Sequence, residues 1–78
     1  MTPTTRDPHA QRATLASLGQ RIQRRRKAVG ATQASLAQAL SISEAYVSLI
    51  ERGGRNPPIT TVLAIARALG VSPAQLVE

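Results

Sequence analysis

Cysteine, tryptophan and phenylalanine are absent from this chain of 78 residues, and tyrosine occurs only once. Without cysteine there is no disulfide framework and no cysteine-ligated zinc or iron–sulfur site. With so few aromatic rings there is no stacking surface of the kind that binds single-stranded nucleic acid. The lone histidine, His9, has no second candidate ligand near it in the sequence, so we expect no metal site.

Long apolar runs are also missing. No segment approaches the ~20 residues that a membrane-spanning helix needs, and the N-terminus lacks the apolar core of a secretory signal. We therefore expect a cytoplasmic protein with no membrane partner. Carboxylate clusters, a nucleophile–histidine–acid set and a glycine-rich phosphate loop are likewise absent from the sequence. The sequence predicts neither an enzyme nor a cofactor, and its length leaves no room for a domain that binds a small-molecule effector.

Acidic side chains are few, four against ten lysines and arginines, which gives a formal net charge of +6. Residues 1–31 contain seven of the basic side chains and one of the acids, so this part of the chain carries the whole excess. A basic excess of this size suits a polyanionic partner. The run Arg24–Lys27 matches a nuclear-localisation patch, but a solvated helix face near DNA phosphates is the preferred interpretation.

Residues 1–13 contain almost nothing apolar, so they cannot bury enough surface to offset the entropy of ordering. We expect a flexible arm here, followed by a single domain at residues 14–78. Arg6 and Arg12 could reach DNA phosphates or a minor groove, or belong to a solvated tail, which is the favoured interpretation.

A first helix is predicted from about Thr14 to Val29. Its apolar stripe has a helical period and consists of Leu15, Leu18, Ile22 and Val29. Arg26 occupies the position that completes the stripe, and a charge left unpaired in a small core is strongly destabilising. Glu51 is the candidate partner, so we predict an Arg26–Glu51 ion pair that ties this helix to the third one.

Two short helices joined by a tight turn are predicted for residues 33–52. Their inward-facing positions are Leu36, Ala37, Leu40, Ile42, Val47 and Ile50. Thr32 and Ser43 are suited to cap the two helices because a hydroxyl can accept a free backbone N–H. Gly30 is expected to end the preceding helix in a left-handed conformation. Such a pair can place its second helix in the major groove of DNA, although many small helical domains contain similar pairs.

The rest of the chain predicts two more helices. After a loop rich in glycine and proline, a helix is expected at Ile59–Leu69, capped by Thr60 or Thr61. Its predicted core positions are Ile59, Val62, Leu63, Ala66 and Leu69. Ser72 as a cap and Pro73 at the first helical position favour a short last helix. Alternating patterns and hairpin turns are absent, so the predicted fold class is all-α.

Together these segments resemble the lambda-repressor-like, Cro-type helix-turn-helix regulators, and most of all the small controller proteins of restriction–modification systems. The resemblance covers about Leu18 to Val77. It depends on TQ-x-x-LA at the start of the helix pair, S-x-IE-x-G at its end, the RNP that follows, and the final ALGVSPAQL. It implies a compact five-helix domain with the helix-turn-helix at its second and third helices.

The resemblance also implies roles for individual residues. The positions that face base edges are Ser43, Glu44, Ala45, Ser48 and Leu49. The positions that meet phosphates are Gln33, Tyr46, Arg52, Arg55 and Asn56. Arg26 and Glu51 match a buried ion pair common in the family, in agreement with the pair predicted from the apolar stripe of the first helix. The expected function is a transcriptional regulator that binds double-stranded DNA; the alternative is an antitoxin or a protein-interaction adaptor with the same fold.

A homodimer on a palindromic operator is expected because a domain of this size is marginal alone and oligomerisation commonly stabilises such domains. The predicted dimer contact consists of Val71, Leu76 and Val77.

Two features depart from the family pattern. Ser41 stands where the turn usually has glycine, so it either adopts a left-handed conformation at a cost of about 1 kcal/mol or the turn is built differently. The second helix of the pair, called the recognition helix because it would enter the major groove, also lacks Arg, Lys, Gln and Asn among its base-facing positions. Glu44, hydroxyls and aliphatic groups remain, which favours modest direct readout and a contribution from DNA shape.

Overall fold

The computed structural model describes residues 8–77 of the chain, and the side chains of residues 12–77. Five α-helices and no strand are found in this part of the chain, so the all-α prediction is confirmed. The helices are α1 (Pro8–Ala28), α2 (Gln33–Leu40), α3 (Glu44–Glu51), α4 (Ile59–Leu69) and α5 (Pro73–Val77). α3 packs on α1 and α2, while α5 packs on α1 and α4. Over the described range, no helix combines the length and the hydropathy that crossing a membrane requires.

The first helix is longer than predicted. It begins at Pro8 rather than near Thr14, and it ends at Ala28. Proline suits a first helical position because the N–H that it lacks would have no partner there. The helix therefore takes in residues 8–13, which composition assigns to the arm. Residues 1–7, including Arg6, lie outside the described part of the chain.

Capping follows the hydroxyl groups that the sequence offers. Thr32 Oγ1 accepts from the N–H of Ser35 at 3.0 Å, and Ser35 Oγ accepts from the N–H of Thr32 at 2.9 Å. This reciprocal pair is a capping box at the start of α2. Ser43 Oγ accepts a backbone N–H from the first turn of α3. Gly30 has φ of 76°, so the left-handed helix end predicted there is present. Gly70, with φ of 71°, ends α4 in the same conformation.

α4 begins at the predicted residue but without the predicted cap. Its N-cap is Pro58, and no side chain bonds to the free N–H groups of the first turn. Thr60 and Thr61 lie one and two residues inside the helix, too far along to act as caps, so that prediction is wrong.

The core consists of eleven apolar side chains, each at most 7% exposed. They are Leu18, Ile22, Leu36, Ala37, Val47, Ile50, Val62, Ile65, Ala66, Leu69 and Leu76. Val29, Ile59 and Leu63 are 46%, 66% and 44% exposed, so their predicted places in the core are wrong. Ile65, at 1% exposure, is a core residue that the predicted stripe omits. Val62, Ala66 and Leu69 belong to both the predicted and the observed stripe, and packing against the neighbouring helices completes it with Ile65 on one flank instead of Ile59 and Leu63 on the other.

α5 closes the core of the single chain. Leu76 is 2% exposed, so it is not available for the predicted dimer contact. Val77 is 56% exposed, and Val71 packs against the core with part of its surface accessible. At the start of the helix, Gln75 Oε1 accepts from the backbone N–H of Ser72 at 2.9 Å and from its hydroxyl at 3.3 Å. The Ser72 hydroxyl therefore donates at this helix end instead of accepting a free backbone N–H as predicted, while the Ser72 carbonyl accepts from the N–H of Gln75 at 3.0 Å.

Candidate nucleic-acid interface

A left-handed residue sets the angle between α2 and α3. Ser41 has φ 57° and ψ 40°, and no other described non-glycine residue has a positive φ. Its N–H donates to the carbonyl of Gln38 at 3.2 Å, and the N–H of Ile42 donates to the carbonyl of Ala37 at 3.0 Å. These two bonds are the usual closure of a left-handed helix end. Of the two forms expected for this turn, the strained one is present, at a cost of about 1 kcal/mol relative to glycine.

α3 has one face in the core and one face turned to solvent. Val47 and Ile50 are 2% and 1% exposed and pack with the buried side chains of α2. Tyr46 is half-buried and also touches the core. The opposite face contains the five positions expected to meet bases: Ser43, Glu44 and Ala45, which are exposed, and Ser48 and Leu49, which are half-buried. This face offers hydroxyl, carboxylate and aliphatic groups to another molecule.

The ion pair predicted from the apolar stripe is present and holds the end of α3 against α1. Arg26 Nε donates to Glu51 Oε2 at 2.6 Å, and Arg26 Nη2 donates to Glu51 Oε1 at 3.0 Å. Arg26 Nη1 also donates to the carbonyl of Ala31 at 3.0 Å. Gln33 Nε2 donates to Glu51 Oε1 at 3.0 Å. This network joins α1, α2 and α3, and both charged residues are less than 9% exposed.

The network keeps both groups ionised. Burial raises the pKa of Glu51, but hydrogen bonds from Arg26, Gln33 and Gln23 and the charge of Arg26 outweigh it, so the pKa lies below its ordinary value. The hydrogen bond to Glu51 raises the pKa of Arg26 despite its burial. Removing one partner would leave a buried, unpaired charge, which costs about 3–5 kcal/mol.

Gly19 also positions α3, and the apolar pattern does not identify it. A Cβ atom at residue 19 would lie 2.5 Å from the carbonyl oxygens of both Ile50 and Glu51. α1 can therefore lie directly on the last turn of α3 only because residue 19 has no side chain. The signal in the sequence is a glycine inside a periodic helix. A glycine at such a position lowers helix stability by about 1 kcal/mol relative to alanine, so its presence indicates that another element packs closely against it.

Of the five residues expected at phosphates, Tyr46 lies within α3, and the other four lie at the start of α2 or just after α3. Gln33 uses one amide hydrogen for Glu51 and has a second hydrogen and a carbonyl oxygen available. Arg52 is exposed, and its Nε donates to a backbone carbonyl of α3 at 3.3 Å. Arg55 and Asn56 are exposed in the loop that follows. Three of these four side chains thus lie at solvent, and the fourth is half-buried.

In residues 8–77, no three His, Cys, Asp or Glu side chains come together as metal ligands would. The two described glutamates, Glu44 and Glu51, lie at opposite ends of α3, and Arg26 engages the second.

A family model described as "Helix-turn-helix domain" matches residues 17–78. The chain belongs to this helix-turn-helix family. The uncharacterized HTH-type transcriptional regulator y4dJ of Sinorhizobium fredii (strain NBRC 101917 / NGR234) is 40% identical to it over 60 residues, which are 77% of this chain and 78% of y4dJ. Two further curated regulators match over 42% of their own length.

Several solved structures of regulators share the fold of this helix-turn-helix protein. The restriction–modification controller protein C.AhdI from Aeromonas hydrophila has a TM-score of 0.78 and 38% identity, over 82% of this chain and 97% of that one. SinR, a master regulator for biofilm formation solved in complex with DNA, has a TM-score of 0.74 and 34% identity, over 78% of this chain and 98% of the SinR chain. The predicted relationship to lambda-repressor-like regulators and controller proteins is confirmed, and α3 corresponds to the recognition helix.

Proposed function

We propose that this helix-turn-helix protein is a regulator of transcription that binds double-stranded DNA sequence-specifically, as a homodimer on a palindromic operator, in the cytoplasm on the nucleoid. The observation that supports this most is the solvent-facing side of the recognition helix, whose last residue is held against α1 by the Arg26–Glu51 pair. A helix presented in this way can enter the major groove, which is about 12 Å wide. The related SinR has been solved in complex with DNA.

The chemistry of the recognition helix predicts which base edges it contacts. Glu44 can accept a hydrogen bond from the N4 amino group of cytosine. The hydroxyls of Ser43 and Ser48 can bond to several base edges, while the methyl groups of Ala45 and Leu49 can contact the thymine methyl. None of these five positions carries a long amide or guanidinium for a two-point contact with a purine. Specificity therefore depends partly on how readily the operator adopts the bound shape.

Phosphate contacts would position the helix without reading sequence. Arg52, Arg55 and Asn56 supply donors just beyond the recognition helix, and Tyr46 supplies a phenolic hydroxyl. Gln33 lies in the first turn of α2, where free backbone N–H groups and the helix dipole favour an anion. These contacts lie on both sides of the recognition helix along the chain, so they would hold it at two points.

The homodimer is supported by the apolar side chains that the single chain leaves exposed. Leu76 belongs to the core, so the contact proposed here keeps Val77 and adds Ile59 and Leu63, which are 56%, 66% and 44% exposed. Burying such side chains contributes about 25 cal/mol for each Å² of apolar surface. Two-fold symmetry would place the recognition helices ~34 Å apart, one turn of DNA, and would require two inverted half-sites.

Selection of bound duplexes from a random pool, followed by sedimentation of the complex, tests the proposal. We expect enrichment of a palindrome with half-sites one DNA turn apart, and two protein chains on each selected duplex. Failure to enrich any sequence would contradict specific DNA binding. An asymmetric motif bound by one chain would contradict the dimer while leaving DNA binding intact.

Glu44→Ala tests the assignment of a base-reading residue. We expect the selected motif to lose its preference for cytosine at one position of each half-site, while affinity for the pool as a whole changes little. Gln20→Ala, an exposed substitution on α1, is the matched control and should return the wild-type motif. An identical motif from Glu44→Ala and from the wild type would remove Glu44 from the reading positions.

A role as a restriction–modification controller is the more specific form of this proposal. It is supported by 38% identity to C.AhdI and by the match to 97% of that chain. A methyltransferase gene and a nuclease gene beside the gene for this chain would agree with it, and a bound operator outside any such pair would contradict it.

A further inference from the structure

A second charged surface lies on the side of α1 that faces α5. Arg26 points from α1 to α3, where it meets Glu51. Arg21 and Arg25 point elsewhere: Arg25 Nε donates to the carbonyl of Leu69, at the end of α4, at 3.1 Å, and Arg21 Nη1 donates to a carbonyl of α5 at 3.4 Å. One helix thus holds the recognition helix with one face and carries a separate set of arginines on another.

These arginines border a groove of about 600 Å³ between α1 and α5. Its lining residues are Arg21, Arg24, Arg25, Ala28, Val71, Gln75 and Leu76. The groove therefore combines three guanidinium groups with aliphatic surface. Arg24 is exposed and has no hydrogen-bond partner among the described residues, so its donors are free for a ligand.

No carboxylate within residues 12–77 neutralises this cluster. Glu51 is engaged by Arg26, and Glu44 lies at the start of the recognition helix. A guanidinium stays charged at every accessible pH, and like charges three or four residues apart on a helix repel one another. A negatively charged ligand in the groove would relieve that repulsion.

We propose that this groove binds an acidic segment of another protein that also carries aliphatic side chains. Its carboxylates would pair with Arg21 and Arg24, whose planar N–H forks match a carboxylate in two-point geometry. An aliphatic side chain would cover Val71 and the accessible edge of the groove. A DNA backbone could meet the arginines but has no aliphatic group for that lining. A second copy of this chain offers only four acidic residues among 78.

The inference does not depend on the function proposed above, because the groove and the recognition helix lie on different faces of α1. A segment bound in the groove would leave the recognition helix free. DNA and an acidic partner could then be held at the same time.

Titration of the ¹⁵N-labelled chain with a short peptide of glutamate and leucine residues tests the proposal. We expect chemical-shift changes at residues 21–28 and 71–76 and none at residues 43–52. The same peptide with glutamine in place of glutamate should bind about tenfold more weakly, since each charge-assisted hydrogen bond contributes on that scale. Changes centred on residues 43–52, or equal affinity for both peptides, would overturn it.

Paired charge variants separate the groove from net charge. The double variant Arg21→Gln/Arg24→Gln should weaken binding of the glutamate peptide about tenfold. Arg12→Gln/Arg67→Gln removes the same charge from exposed positions outside the groove and should change binding by less than about twofold. Equal weakening by both pairs would overturn the proposal.

Measuring the affinity of the same variants for a DNA duplex distinguishes the other source of negative charge, the DNA backbone. If Arg21→Gln/Arg24→Gln lowers DNA affinity and leaves peptide affinity unchanged, the arginines serve the DNA backbone and the proposal fails. Arg24→Gln alone provides the same comparison should the double variant unfold, because Arg24 makes no hydrogen bond within the described chain. For the single variant, weaker peptide binding supports the groove and unchanged binding contradicts it.

Discussion

Gly19 and Glu51 meet where the backbone of α1 lies on the last carbonyl groups of α3. Gly19 permits the contact because it has no Cβ, and Glu51 holds it through Arg26 at 2.6 Å. Gly19 acts because it has no side chain, and Glu51 acts through its negative charge. The two contributions can therefore be measured separately.

Gly19→Ala should destabilise the fold, whereas the same substitution inside a helix usually stabilises a protein. In an open helix position this substitution raises the free energy of unfolding by about 1 kcal/mol. Here the added methyl would meet two backbone oxygens at 2.5 Å, and backbone cannot move aside as a side chain can. We expect a loss of about 1–3 kcal/mol, as for other overpacked sites, measured by urea unfolding.

The matched control is Gln20→Ala, at the next, exposed position of α1. It should change the free energy of unfolding by less than about 0.5 kcal/mol. A stabilised Gly19→Ala variant would show that the two helices are not in backbone contact.

The lowered pKa of Glu51 predicts a loss of stability in acid. Its folded-state pKa lies below the unfolded value of about 4.3, so the unfolded chain takes up the proton first as the pH falls. The stabilisation is therefore fully present above that unfolded pKa and is lost as the pH falls through the folded pKa. We expect the free energy of unfolding to decrease steadily in this acidic range.

Glu51→Gln should be less stable than the wild type at neutral pH and should show a flatter pH dependence. Glu44→Gln removes an exposed carboxylate from the same helix and should retain the wild-type dependence. Equal slopes for wild type and Glu51→Gln below pH 5 would mean that another carboxylate carries the effect.

At the scale of elements, the turn between α2 and α3 contains a strained residue that a substitution could relieve. Ser41→Gly should raise the free energy of unfolding by roughly 0.5–1 kcal/mol, because glycine adopts positive φ without the Cβ penalty, although it loses more entropy on folding. Thermal unfolding would detect the change. Ala39→Gly, an exposed position inside α2, should cost about 1 kcal/mol; a destabilising Ser41→Gly would instead show that the serine side chain contributes to the turn.

The caps of α2 and α3 were predictable from the sequence, whereas the start of α1, the start of α4 and the buried helix faces were less so. Thr32 and Ser43 cap their helices as predicted because a cap depends on residues within one turn. The buried side of α4 was predicted incorrectly at Ile59 and Leu63. Val62, Ala66 and Leu69 are buried as predicted, but apolar residues flank them on both sides, and only the neighbouring helices decide which flank is covered.

At the scale of the whole molecule, positive charge and the recognition surface are separated along the chain. Residues 1–31 carry the net charge of +6, while residues 32–78 contain three arginines and three glutamates. A long-range attraction to DNA would therefore come mainly from α1 and the residues before it, and local phosphate contacts from Arg52 and Arg55.

Salt dependence should reveal which arginines meet phosphates. Arg52→Ala and Arg55→Ala should each weaken binding to all duplexes alike and lower the slope of log affinity against log salt by up to about one unit. Arg67→Ala, exposed on α4, removes the same charge away from the recognition helix and should leave the slope nearly unchanged. An unchanged slope for Arg52→Ala or Arg55→Ala would exclude that residue from the phosphate contacts.

Local chemistry along the chain determined the caps of α2 and α3, the left-handed helix end at Gly30 and the Arg26–Glu51 pair. Caps and turns act over a few residues, and a charge in an apolar stripe requires an opposite charge wherever the chain can supply one. Tertiary structure decided the close approach at Gly19, the burial of Ile65 in place of Ile59 and Leu63 on α4, and the burial of Leu76. These features depend on how helices distant in sequence lie against one another, and a periodic apolar segment is compatible with more than one such arrangement.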